Sequence, residues 1–389
     1  MQADRQTRQA GALRARCATA AAYAVAAVVH LVTAGLFAAG LMLIVLGFRT
    51  VVQPVIGLLL LGLAVALRPR PERLNPDLPL LREADARTLF ALLRRTADSA
   101  GARHVDAVQL TADFSVTVIP YGLRRRRCLV LGLPLWAAYS PQQRIAAITQ
   151  ALGRSAPRNV RFGMVIGSAL RSLTAGSQAL RAGDPSPASW DASPLSLHAA
   201  EAIVGARRFN SRARTGQWLL WPPRTVTAAT ARLLLRLTRP AAARARFEAD
   251  EAGARAASSG AAVAALRDRR LAPAIGVEMH RLVVERRTLL KGRAPAVAQG
   301  DLWETVTRHA ALLRERQETV RPPGPDPRGG VSGSARHDSD ARRAARLADA
   351  PQHPATITLD EPDRARIEDE LRPPKEAVAR LVLRGGIPG

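Results

Sequence analysis

The chain has 389 residues, 47% hydrophobic and 23% charged, a composition that can bury a core and is not that of a disordered chain. Its formal charge of +25 is almost all arginine, spread through an Ala-rich sequence with 4% aromatics, so it reads as compositional bias and membrane topology, and no specific nucleic-acid partner is expected. Two cysteines, Cys17 and Cys128, lie 111 positions apart and exclude both a disulfide framework and a cysteine-rich zinc module.

Residues 18–48 carry no charged side chain. As a helix they would be about 46 Å long, more than the roughly 30 Å hydrocarbon core requires. A second uncharged run follows at 50–67, with a turn expected near Gly47 to Pro54. Together, 18–67 predict a transmembrane hairpin, since a signal peptide would have a shorter apolar run and a small-residue cleavage site. Arg5, Arg8, Arg14 and Arg16 precede the hairpin and Arg68, Arg70 and Arg73 follow it, against Arg49 alone in the turn. The positive-inside rule then puts residues 1–17, the main domain and the C-terminus in the cytoplasm of a multi-pass plasma-membrane protein. His30, inside the first run, reads as a packed residue ahead of a proton relay.

Beyond the hairpin, a metallopeptidase-like domain is assigned to 68–320. Leu81, Ala84, Leu89, Leu92 and Leu93 predict a helix ending at Gly101. Residues 105–110, 115–119 and 128–131 read as short strands. Arg124 to Arg127 form a solvated hairpin tip that can touch anionic lipid. Ser140-Pro141-Gln142-Gln143 is a helix start with a capping box, and the helix runs to about Arg154. A further helix is expected over 159–180 and a Pro/Ser-rich loop over 182–194. Residues 218–237 predict an interfacial helix with Trp218 and Trp221 near headgroups. Helices are also expected at 241–258, 261–270 and 301–317. The Pro/Gly/Arg-rich composition of 321–362 predicts a linker, and 363–389 a short C-terminal helical tail, with 341–350 another surface helix.

The order of these parts, with the phrase LVLGLPLWAAYSPQQRIAAITQALGR and the later RARFEADEAGARAA, resembles the HtpX-like membrane zinc metallopeptidases, which include the CAAX prenyl proteases. The resemblance covers roughly residues 15 to 320 and implies a mainly α, α+β fold: a transmembrane hairpin plus a helical zincin-like domain with a small β-region. The family's active helix carries H-E-x-G-H, in which two His one turn apart hold Zn²⁺ and the Glu activates its water. The matching positions here are Gln150, Ala151 and Arg154, with Gly153 retained. A third ligand, a Glu four residues before the Asp of the second motif, corresponds to Arg246, and that Asp is kept as Asp250. Gln150 is a poor ligand, Ala151 accepts no proton, and Arg154 and Arg246 put cations where a dication should sit.

The expectation is therefore a degenerate member: no catalytic residue, no metal and no cofactor, with a cleft that binds a polypeptide or a protein partner. Arg154 is expected to take the metal's place and pair with Asp250. The alternative is an active membrane zinc metalloendopeptidase with a rearranged site. The seven His form no H-x-x-x-H, His198 with Glu201 is the only His/Glu pair at helical spacing worth weighing, and neither a phosphate-binding loop nor a G-x-S-x-G elbow is present.

Overall fold

The structure, a computed structural model, describes residues 2–46, 52–66, 74–122, 126–156, 166–170, 172–173, 198–289, 301–319 and 331–385. The chain divides into two compact units, one built from 1–70 and 160–243 and the other from 71–159 and 244–389. The expected division at 68, 320 and 362 is thus replaced by one in which the second unit is discontinuous and runs to the C-terminus.

In the first unit, α1 (Gln2–Leu46) contains the 30-residue apolar stretch Cys17–Leu46, long and apolar enough to cross a membrane. Its large side chains point outward: Leu31, Phe37, Met42 and Leu46 are about half exposed or more, whereas the buried positions are the small Ala22 and Ala26. That is the reverse of a water-soluble helix and suits an apolar solvent. α2 (Val52–Ala66) has 15 residues, about 22 Å of helix, short of a bilayer by itself. The two helices meet backbone to backbone, because a Cβ on Gly40 would lie 2.9 Å from the Gly57 carbonyl oxygen and one on Gly57 2.8 Å from that of Gly40. Of the turn expected near Gly47 to Pro54, residues 47–51 lie outside the described residues and 52–54 already belong to α2. Ile166, Ala169 and Leu234 complete a small core with Ala22 and Ala26, and His30 Nε2 lies 3.1 Å from Ser168 Oγ, a packed residue as expected.

The second unit holds a four-stranded sheet in the order β1 (Leu80–Leu81), β2 (Ala107–Thr111), β4 (Arg126–Gly132), β3 (Val116–Tyr121). β2 runs parallel to β4, while β1–β2 and β3–β4 are antiparallel. β2 is buried at every position, as an interior strand covered on both faces should be. Leu81, expected in a helix, instead pairs with Val108, and α3 spans Arg87–Ser99. The late start has a cause in the far end of the chain: the Glu370 carboxylate accepts from the backbone N–H of Thr88 at 2.8 Å and of Leu89 at 3.0 Å, satisfying two amides of the first turn.

β4 ends at Gly132, where a Cβ would sit 1.7 Å from the Asp113 carbonyl oxygen, so no other residue fits. α4 (Leu133–Ala138) and α5 (Pro141–Arg154) follow. The capping box is present in full: Gln143 N–H donates to Ser140 Oγ at 3.4 Å, and Ser140 N–H to Gln143 Oε1 at 2.8 Å. Next in the described chain comes α6 (His198–Ala257), one helix where the sequence suggested two, which passes from the first unit into the second at residue 244. The side chains of Trp218, Trp221, His198 and Glu201, and the 182–194 loop, lie outside the described set. α7 (Ser259–Asp268), α8 (Ala272–Leu289), α9 (Asp301–Thr319), α10 (Val331–Ala348) and α11 (Glu361–Gly385) complete the fold.

The C-terminal region is no linker and tail. Ile367, Leu371, Val378 and Val382 of α11 are fully buried in the same core as Leu89, Leu110, Leu131, Ile148 and Leu266. Each such side chain contributes about 1.5–3 kcal/mol on burial. Residues 353–357 also bond to the α6–α7 junction: Ile357 N–H donates to the Ala256 carbonyl at 2.8 Å, and Ser259 N–H to that of His353 at 3.1 Å. At that junction Ser258 has φ 105°, a backbone state rarely adopted by a residue with a Cβ.

Candidate functional site

Gln150 and Arg154 lie one turn apart on α5, and that face packs against residues 246–253 of α6. Two glycines permit the approach. A Cβ on Gly153 would sit 3.2 Å from both Cα and Cβ of Ala249, and one on Gly253 would sit 2.9 Å from Gln150 Cγ and 3.1 Å from the Ala146 carbonyl oxygen. The fold thus brings Gln150 and Arg154 to the same helix pair as Asp250 and Arg246. Ala151 points into the hydrophobic core instead.

The expected Arg154–Asp250 ion pair is replaced by another. Asp250, 2% exposed, accepts from Arg343 of α10 in bidentate fashion, Nε to Oδ2 at 2.8 Å and Nη2 to Oδ1 at 2.6 Å. Arg343 also donates through Nη1 to Asp340 Oδ1 at 2.5 Å, and Arg269 Nη1 lies 3.7 Å from the same oxygen. A second arginine of α10, Arg346, stacks over the Phe247 ring at 4.0 Å. The partner of Asp250 therefore comes from a helix that the sequence placed in a surface linker. The guanidinium fork matches a carboxylate in two parallel bonds, which one monodentate contact from Arg154 would not equal.

Arg154 is left with a different environment. Its Nη2 donates to the Val116 carbonyl at 3.2 Å, which ties the end of α5 to β3. Burial, then repulsion from Arg269 and Arg343, outweighs the attraction of Asp250, with Arg246 repelling further, and the Arg154 guanidinium is held down at about 10. Gln150 is 1% exposed, and its Nε2 has no hydrogen-bond partner among the described residues.

Zinc does not suit these side chains. An amide, a methyl group and two guanidiniums offer no anionic or imidazole donor, and both oxygens of Asp250 are already bonded. Among the described residues no three His, Cys, Asp or Glu side chains gather in ligating range. Comparison with protein-family models, curated proteins and solved structures finds no match. The site's chemistry rests on its own geometry.

Two further ionic groups brace it. Asp268 Oδ2 accepts from Arg314 Nε at 2.9 Å and Nη2 at 2.6 Å, and from Gln143 Nε2 at 3.0 Å, joining α5, α7 and α9. Glu368 Oε1 accepts from Trp136 Nε1 at 3.1 Å and Arg144 Nη1 at 2.7 Å, and its Oε2 accepts from Lys375. Of the Arg124–Arg127 run, Arg127 is not a solvated tip residue. It donates to the carbonyls of Arg103 and Ser155, and its charge is disfavoured by burial and by Arg103. Arg126 is exposed, and Arg124 and Arg125 lie outside the described residues. Burial raises the Cys128 thiol to about 11, which favours the neutral thiol over the thiolate. No local signal marked Arg343 or Asp340 in the sequence, since their roles depend on a contact spanning 93 residues.

Proposed function

We propose that the chain is a membrane-anchored protein with the two-helix frame of an HtpX-like metallopeptidase, in which an Arg–Asp network has replaced the metal chemistry, and that it binds a polypeptide segment or partner protein without cutting it. The observation that carries this reading is the convergence of Gln150, Arg154, Arg246 and Asp250 on facing helices, with Asp250 already neutralised by Arg343. The positions resembling the family's ligands meet in space and hold the wrong chemistry for zinc.

The edge of the sheet supports polypeptide binding. Gly132 N–H donates to the Ser115 carbonyl, so alternation along the antiparallel register makes Thr117 and Ile119 face β4 and Val116 and Val118 face away from it. Among the described residues no strand pairs with that outer edge. Arg154 takes the Val116 carbonyl at one end, and Pro120 removes an N–H at the other. A short open stretch around Val118 remains, a length suited to adding a few residues of extended chain.

Membrane attachment rests on α1. The hairpin reading, with α2 and its flanks forming a second span, is supported by the Gly40–Gly57 approach and by the arginines on both sides of it. Both termini and the main unit then lie on the cytoplasmic side of the plasma membrane, where exposed arginines contact anionic lipid.

Purified full-length protein, equilibrated with excess Zn²⁺ and desalted, should retain far less than one zinc per chain. It should also bind fluorescent casein, an unfolded polypeptide, without releasing fragments, and Val118→Pro should weaken that binding. One zinc per chain with casein cleavage would replace this reading with that of an active metallopeptidase.

A further inference from the structure

The ionic groups around Arg154 do not balance. Arg154, Arg246, Arg269 and Arg343 stand against Asp250 and Asp340. The charge of Asp250 is matched by the bidentate fork of Arg343, and Asp340 is shared between Arg343 and Arg269. Arg154 therefore keeps most of its N–H donors unspent among the described residues, its one hydrogen bond going to the neutral Val116 carbonyl. One turn earlier on the same face, the buried amide nitrogen of Gln150 is an unsatisfied donor as well. Two neighbouring side chains on one helix face thus have donors left over among the described residues.

Buried or half-buried donors with excess positive charge are costly unless an acceptor of opposite charge completes them. The cluster is also open to solvent on one side: Arg246 is exposed, Arg154 is half-buried, and the Arg269 side chain is 26% exposed. Arg343 and Asp250, at 7% and 3% side-chain exposure, form a buried ion pair beside them.

We infer that the solvent-facing side of the cluster formed by Arg154, Arg246 and Arg269 is an oxyanion site, in which Arg154, assisted by the other two, receives a carboxylate or phosphate group. A planar guanidinium held from behind by a backbone carbonyl presents its remaining N–H pairs in the geometry that such groups accept. A positive site at these positions inverts the charge preference that a divalent cation would need. The unspent donors of Arg154 and Gln150 among the described residues carry it together with the charge balance, whatever polypeptide the sheet edge binds.

The test is calorimetric titration of the detergent-solubilised full chain with sodium phosphate, sodium acetate, triglycine and triglycine amide, each at constant ionic strength against sodium chloride. Saturable binding of at least one oxyanion is expected. Arg154→Met should weaken it about tenfold or more, the effect of losing a charge-assisted bond, while Arg94→Met on the remote exposed Arg94–Glu83 pair leaves it unchanged. Should Arg154→Met fail to fold, exposed Arg246→Gln serves instead and should weaken binding by a smaller factor. Phosphate preferred over acetate would assign the ligand as a phosphoryl group; triglycine preferred over its C-terminal amide would assign it as a peptide carboxylate. Absence of saturable binding, or binding equal in wild type and Arg154→Met, overturns the site.

Discussion

The buried Asp250–Arg343 pair and its neighbour Arg154 make an asymmetric prediction. Removing Asp250 as Asn leaves Arg343, Arg154 and Arg269 facing one another without their buried counter-charge, and breaking such a pair from one side costs about 3–5 kcal/mol. Removing Arg343 as Met leaves Asp250 uncompensated only in part, because Arg154 already feels its charge. The loss should then be smaller, about 2 kcal/mol, as Arg154 swings from the Val116 carbonyl to the vacated carboxylate. The charge on Arg154 is itself disfavoured. Burial and the neighbouring arginines hold its guanidinium at about 10, well below the ordinary arginine range. Arg154→Met alone should therefore be neutral or stabilising, and combined with Asp250→Asn it should restore about 2 kcal/mol of the loss.

Hydrogen exchange of amides in residues 141–154, in the full chain in detergent and in buffer free of phosphate and carboxylates, reads these opening free energies locally. Equal losses for Asp250→Asn and Arg343→Met, with Arg154→Met additive to both, would show that Arg154 does not share the field of the pair and would refute the reasoning.

Replacing Glu370 by Ala should strip two acceptors from the start of α3 and cost about 1–2 kcal/mol, seen as faster exchange confined to residues 87–93. Gly253→Ala should overpack the α5–α6 contact by about 1–3 kcal/mol, and Gln150→Ala in the same chain should relieve it; melting midpoints of the two variants decide. At Glu368, burial pushes the carboxyl up but Lys375 and Arg144 outweigh it and hold it low. A depressed carboxyl stabilises fully above its unfolded value and loses that contribution as the pH falls through the lower folded one. Acid denaturation curves should thus be shallower on the acid side for Glu368→Gln. Truncation at residue 360 removes Ile367, Leu371, Val378 and Val382 from the main core, and the shortened chain should aggregate or lose protected amides throughout the second unit.

Much of the secondary structure was legible locally. The capping box at Ser140–Gln143, the strands near 107–111, 116–121 and 126–132, and the apolar helix after Cys17 all depend on residues within a few positions of one another, where propensity and capping act. What the sequence hid lies in contacts across the chain. Leu81 looked helical by spacing but joined the edge of β2, because the first turn of α3 is set by Glu370 from 282 residues away. The 331–348 helix carries Gly, Ser and Asp at linker-like density, so its docking through Arg343 and Arg346 left no periodic signature strong enough to read.

The candidate site divides along the same line. Gln150, Arg154, Arg246 and Asp250 were singled out through the resemblance of two segments to the motifs of a metallopeptidase family, and the glycine contacts at 153 and 253 bring those segments together. The identity of the counter-ion was not local. A single carboxylate between competing arginines goes to the one that reaches it with both nitrogens at least cost in burial, and that geometry belongs to a helix 93 residues further on. Once Arg343 holds Asp250, Arg154 has no carboxylate of its own among the described residues. A positive charge kept half-buried with one neutral acceptor is a cost to folding, and that cost is met either by an exogenous anion or by the rest of the core. The titration of wild type against Arg154→Met separates the two: with an anion site, the stability gained by removing Arg154 disappears when the anion is present, and without one the gain is the same in every buffer.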